Sequence, residues 1–73
     1  MAEIRFEIVK HLGVLSETAS GYRKEVNEVR WADNEPKLDI RSWPADHSKP
    51  GKGITLTETE ERILLRILKA RED

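Results

Sequence analysis

Apolar and polar residues alternate over residues 4–10, IRFEIVK, with Ile4, Phe6 and Ile8 on one side and Arg5 and Glu7 on the other. A period of two marks a half-buried strand. The run SETASG at 16–21 breaks the alternation with small and polar residues ending in glycine, and reads as a turn. From Tyr22 to Ala32, YRKEVNEVRWA holds the β-branched and aromatic residues of a second strand. Val26 and Val29 have opposite parity there, so a single core face requires a bulge near Asn27 and Glu28. Asp33 and Asn34 of DNEP supply a tight turn, and KLDIRSW alternates again. That third strand directs Leu38 and Ile40 to the core and Lys37, Asp39, Arg41 and Trp43 to the opposite face. PADHSKPGKG is too rich in proline and glycine to be regular, and leads into a short fourth strand, ITL.

The periodicity then changes. Thr57 with Glu60 three positions later forms a capping box, and ETEERILLRILKARED runs without glycine or proline, predicting a helix. Ile63, Leu64, Ile67 and Leu68 recur at helical spacing, and Leu65 widens the stripe beyond what one small sheet covers. With no second helix in the chain, dimerisation through Ile63, Leu64, Ile67 and Leu68 is the expected outlet. The order of four strands and a helix, with early turns too short for crossover helices, predicts an antiparallel α+β domain over residues 1–73.

At 73 residues without cysteine, the chain sits near the lower size limit for a self-sufficient core and has no disulfide to compensate. No apolar run is long enough to span a bilayer, and MAEIRFEIVK lacks the order of a signal peptide, so a cytoplasmic protein is expected, with association with the nucleoid left open. Thirteen Lys and Arg against fourteen Asp and Glu give a formal charge of −1. An indiscriminate polyanion binder is therefore excluded, and any nucleic-acid site must be a local patch supplemented by stacking.

Catalysis finds no constellation. Asp46, His47 and Ser48 are consecutive, so their side chains cannot line up as acid, base and nucleophile. His11 and His47 are isolated in sequence and make a poor zinc set. PGKGIT lacks the glycine that begins a phosphate-binding loop. The exposed face of the third strand is more informative. It carries Lys37, Arg41 and Trp43, with Arg30 and Trp31 on its hairpin partner and Tyr22 and Lys24 farther along the same strand. Aromatics interleaved with cations suit a single strand of nucleic acid, whose bases stack while phosphates meet the cations.

KLDIRSW…KPGKGITLT resembles the positive cofactor four transcriptional coactivators, and more closely their small bacterial YdbC-like members. The shared set is Asp-Ile-Arg, a Trp shortly after, a Pro/Gly/Lys loop, Gly-Ile-Thr-Leu and a helix. The resemblance implies a strongly curved four-stranded antiparallel sheet, a C-terminal helix and a homodimer built through the helices. It also implies binding of single-stranded DNA, with RNA as a second ligand, in transcription regulation or DNA maintenance. No enzymatic activity, cofactor, metal or small-molecule substrate comes with it. Carried over by motif, the contact residues are Trp31, Arg41, Trp43, Lys49 and Lys52, with Lys37 close to a family lysine. Asp33, Asn34 and Glu35 stand where eukaryotic members place lysines, and the serine- and lysine-rich tail is missing. The rival expectation is a protein-interaction module using the sheet or helix, with the tryptophans as anchors.

Overall fold

The computed structural model describes residues 5–72. Ile4, assigned above to the first strand, and Asp73, at the end of the predicted helix, lie outside the described residues. Strands β1 (Phe6–Glu17), β2 (Arg23–Trp31), β3 (Lys37–Trp43) and β4 (Gly53–Leu56) precede helix α1 (Glu58–Arg71). The strands form one antiparallel sheet in the order β1-β2-β3-β4, as the alternation and short turns predict. Among the described residues no helix is long and apolar enough to cross a membrane.

The expected bulge in β2 is corrected. β2 pairs with β3 without interruption from Arg23↔Trp43 to Val29↔Lys37. The irregularities fall on β1, at Ile8/Lys10, His11/Gly13 and Val14/Ser16, where Val9, Leu12 and Leu15 are each one residue more than β2 matches. These extra residues hide the alternation beyond Lys10, which is why β1 runs to Glu17. Repeated bulges bend and twist a strand, and on an edge strand they also discourage pairing with another sheet.

Val26 and Val29 need no bulge to reconcile them, because both faces of β2 are covered. Val29 is fully buried on the face that also carries Glu25, Asn27, Asp39 and Trp43. Val26 lies on the other face, where with Leu15, Leu38, Ile40, Leu64 and Leu68 it lines an apolar cleft of about 390 Å³ beneath α1. Leu38 and Ile40 do face the helix side but are only half-buried. Among the described residues, the fully buried apolar side chains are Val29 and Trp43, on the face the alternation assigned to solvent.

Helix α1 begins as predicted. The Glu60 N–H donates to Thr57 Oγ1 at 3.2 Å, and the Thr57 N–H donates to Glu60 Oε1 at 2.9 Å. Glu58, Glu60 and Glu61 occupy the first turn and Lys69 and Arg71 the last, each sign where the helix dipole favours it. The helix buries no residue, and Ile63, Ile67 and Leu68 remain 47%, 57% and 47% exposed.

Two backbone features hold the loop over 44–52 and the β2–β3 turn. A Cβ on Gly53 would stand 1.9 Å from the Cβ of Arg41, so only glycine lets β4 lie this close to β3. The β2–β3 turn closes with the Asn34 N–H donating to the Trp31 carbonyl at 3.0 Å, which makes Ala32 and Asp33 its central residues. Ala32 has φ 53°, a left-handed conformation that costs an L-residue about 1–2 kcal/mol. Replacing Ala32 by glycine is therefore expected to stabilise the fold by about 0.5–1 kcal/mol, net of the added freedom of the unfolded chain. An upward shift in the urea midpoint at unchanged slope is the result to look for.

Candidate nucleic-acid interface

Trp31 ends β2, half-buried. Its indole N–H donates to Thr55 Oγ1 at 3.1 Å, and the Arg41 guanidinium carbon lies 4.7 Å from its ring centroid. Arg41 forms a two-pronged pair with Asp39, Nε to Oδ1 at 2.7 Å and Nη2 to Oδ2 at 2.8 Å, and donates from Nη1 to the Gly51 carbonyl at 2.9 Å. The Thr55 hydroxyl in turn donates to Asp39 Oδ2 at 2.7 Å. Asp39 is thus fully buried yet saturated, as a buried carboxylate must be. The network ties β3, β4 and the loop 44–52 to one face of Trp31.

This corrects the expected role of Arg41. Its side chain is 13% exposed and its charge is neutralised by Asp39, so it orients Trp31 and the loop instead of meeting phosphate as a free cation. Trp43 is corrected as well. It is fully buried, with ring centroids 5.3 Å from Phe6 and 5.4 Å from His47, and offers no open face to a base. Among the described residues its indole N–H has no hydrogen-bond partner. Arg30 falls on the opposite side of the sheet from Trp31, as adjacent strand residues must, and pairs with Glu7 at 3.2 Å. Lys24 also points to that opposite side, while Tyr22 precedes β2 and is 42% exposed.

Lys37, Lys49 and Lys52 are exposed, and among the described residues none of them is held in an ion pair. Lys37 lies on the Trp31 face, opposite Val29. Lys49 and Lys52 flank Gly51, whose carbonyl is the one Arg41 grips. One solvated lysine thus shares the face of Trp31, and two more sit on the loop that Arg41, the residue over the Trp31 ring, grips.

Farther along the same face lies a polar cluster that the alternation concealed. Glu25 and Asn27 are fully buried, the Asn27 amide donating to Glu25 Oε1 at 3.2 Å. His47, in the loop 44–52, sets Nε2 3.1 and 3.0 Å from the two Glu25 oxygens, and Arg23 Nη2 lies 3.3 Å from Oε2. The signal available in sequence was parity: Glu25 and Asn27 share the side of Val29, so burial of Val29 carries them inward.

Burial pushes the Glu25 pKa up. The hydrogen bonds from His47 and Asn27, with the charges of His47 and Arg23, outweigh burial and hold it below its ordinary value of 4.5. A carboxyl whose folded pKa is depressed adds stability that is present above its unfolded pKa and lost as pH falls through the folded one. Glu25→Gln should therefore be less stable than the parent near neutrality, with the gap closing as the pH falls below about 4.5. Thermal unfolding of both proteins across that range checks this, and a gap independent of pH would contradict it.

Over 58 residues, 80% of this chain and 68% of the relative, the sequence is 38% identical to a Treponema pallidum (strain Nichols) protein described as uncharacterized. No protein-family model matches the chain.

Proposed function

The chain belongs to one family with this Treponema pallidum protein, and from the surface just described we propose that it is a homodimeric single-stranded nucleic-acid-binding protein. Single-stranded DNA is the primary ligand and RNA a second, because stacking and phosphate contacts tolerate both sugars. The observation that carries the reading is Trp31, braced on one side by Arg41, with the exposed Lys37 on the same face and the exposed Lys49 and Lys52 on the loop that Arg41 grips. Bases stack on the ring while the lysines meet phosphates. The likeness to the positive cofactor four coactivators supports the same reading, as do the sheet order and the helix that follows it.

The second copy is called for by the apolar surface. Ile63, Ile67 and Leu68 are exposed on a helix that buries nothing, above a cleft that one chain leaves unfilled. Pairing through Ile63, Leu64, Ile67 and Leu68 covers this stripe and gives so short a chain the core it otherwise lacks.

Titration of tryptophan fluorescence with a thymidine oligonucleotide of about 20 nucleotides, long enough to cross a small binding surface, tests the ligand. Quenching that weakens with salt and is much smaller with duplex DNA is the expected result. Absence of quenching and of any polarisation change at micromolar protein would reject the reading in favour of a protein-interaction module. Sedimentation of the Ile67→Asp protein tests the dimer: a monomer is expected where the parent is dimeric.

A further inference from the structure

A second group of nitrogen donors occupies the other end of β2, and the geometry points to His11, Arg23 and His47 as a subsite for one phosphate group of a bound strand. It rests on the nucleic-acid reading and extends the path of that strand. The three side chains come from β1, β2 and the loop 44–52, and with Ile8 and Glu25 they line an open hollow of about 230 Å³. Among the described residues no set of His, Cys, Asp and Glu is placed to hold a metal ion, so the hollow is read by its donors.

The hydrogen bonds fix which ring nitrogens those are. The Asn27 amide nitrogen is engaged by Glu25, so Asn27 Oδ1 faces His11 Nδ1 at 2.7 Å and accepts its proton. His47 Nε2 lies between two carboxylate oxygens and must also donate. His11 Nε2 and His47 Nδ1 are left over, each becoming an N–H donor when its ring is protonated. Arg23, 38% exposed, keeps donors beyond the one directed at Glu25. Glu25 itself is 1% exposed, with both oxygens occupied from within.

Of the other charged groups near the hollow, Arg41, cross-strand from Glu25, is paired with Asp39; Asp46 accepts the Ser48 N–H, and Glu17 stands opposite Arg23 on β1, both carboxylates without an ion pair among the described residues. Arg23 and Glu25 cancel, so each imidazole that gains a proton adds one unit of positive charge facing the hollow. His47 is also held at φ 54°, a strained conformation for a residue other than glycine, and such strain concentrates at working sites. From Arg23 to Trp31 an extended strand covers roughly 25 Å, room for several nucleotides between the phosphate subsite and the stacking ring.

The test follows the imidazole C–H signals of His11 and His47 by NMR, first with inorganic phosphate, then with the thymidine oligonucleotide. Both rings should shift with either probe. Arg23→Gln, checked for folding by circular dichroism, should weaken oligonucleotide binding about fivefold at roughly 0.1 M salt, the effect of one lost phosphate contact. If the oligonucleotide quenches Trp31 but leaves both rings unmoved, the subsite is wrong while the nucleic-acid reading stands. If phosphate shifts the rings but no oligonucleotide quenches Trp31, the assignment to a bound strand is overturned along with that reading.

Discussion

Replacing Lys37, Lys49 and Lys52 together by alanine is expected to lower affinity for a thymidine oligonucleotide roughly a hundredfold at about 0.1 M salt. It should also take about two units off the slope of log affinity against log salt. Each single-strand phosphate met by a cation releases counterion, contributing about 0.7 to that slope, and the three contacts act through the same term. The prediction is confined to lysines because they are the exposed cations of this surface, whereas Arg30 and Arg41 are spent on Glu7 and Asp39. Among the described residues none of the three lysines makes an ion pair, so thermal stability should move by less than about 0.5 kcal/mol. Fluorescence titrations across a salt series read slope and affinity together. Unchanged values for both would remove these lysines from the interface.

The largest expected loss of stability comes from Trp43→Ala, about 3–5 kcal/mol, the usual range for truncating a buried large aromatic. For so small a domain this approaches the whole margin of folding. Trp43 is sealed between Phe6 and His47 and supports the underside of the loop that carries Lys49 and Lys52. Trp43→Phe separates packing from polarity. It leaves a smaller cavity and removes a buried indole N–H that has no acceptor among the described residues, a group whose burial unpaired costs about 1–3 kcal/mol. The phenylalanine protein should therefore keep most of the stability that the alanine protein loses. Denaturant midpoints rank the three proteins, and equal losses for both substitutions would contradict the packing role.

Both predictions turn on which face of the sheet is covered, and there the sequence was only partly legible. The parity of KLDIRSW correctly separated Leu38 and Ile40 from Asp39, Arg41 and Trp43. It also suggested that a face carrying aspartate and arginine must be wet. The reverse holds, because Asp39, Arg41 and Thr55 satisfy one another, and Glu25 is satisfied by Asn27, Arg23 and His47. A polar residue can be buried at small cost once its partners arrive from other strands. No single strand displays those partners. The same holds for β1, whose three extra residues are visible only against the register of β2.

What the sequence determined by itself is local. The capping box of Thr57 and Glu60, the glycine- and proline-rich loop before Gly53 and the alternation of β3 act between residues a few positions apart, so their outcome is written in neighbouring letters. Tertiary structure decided which tryptophan stays accessible. Trp31 and Trp43 are equivalent by composition and both point to one face, yet the loop 44–52 folds back over Trp43 through the His47–Glu25 and Arg41–Gly51 contacts and leaves Trp31 half-exposed. Burial is a property of what lands on a side chain, and here the covering residues are remote in sequence.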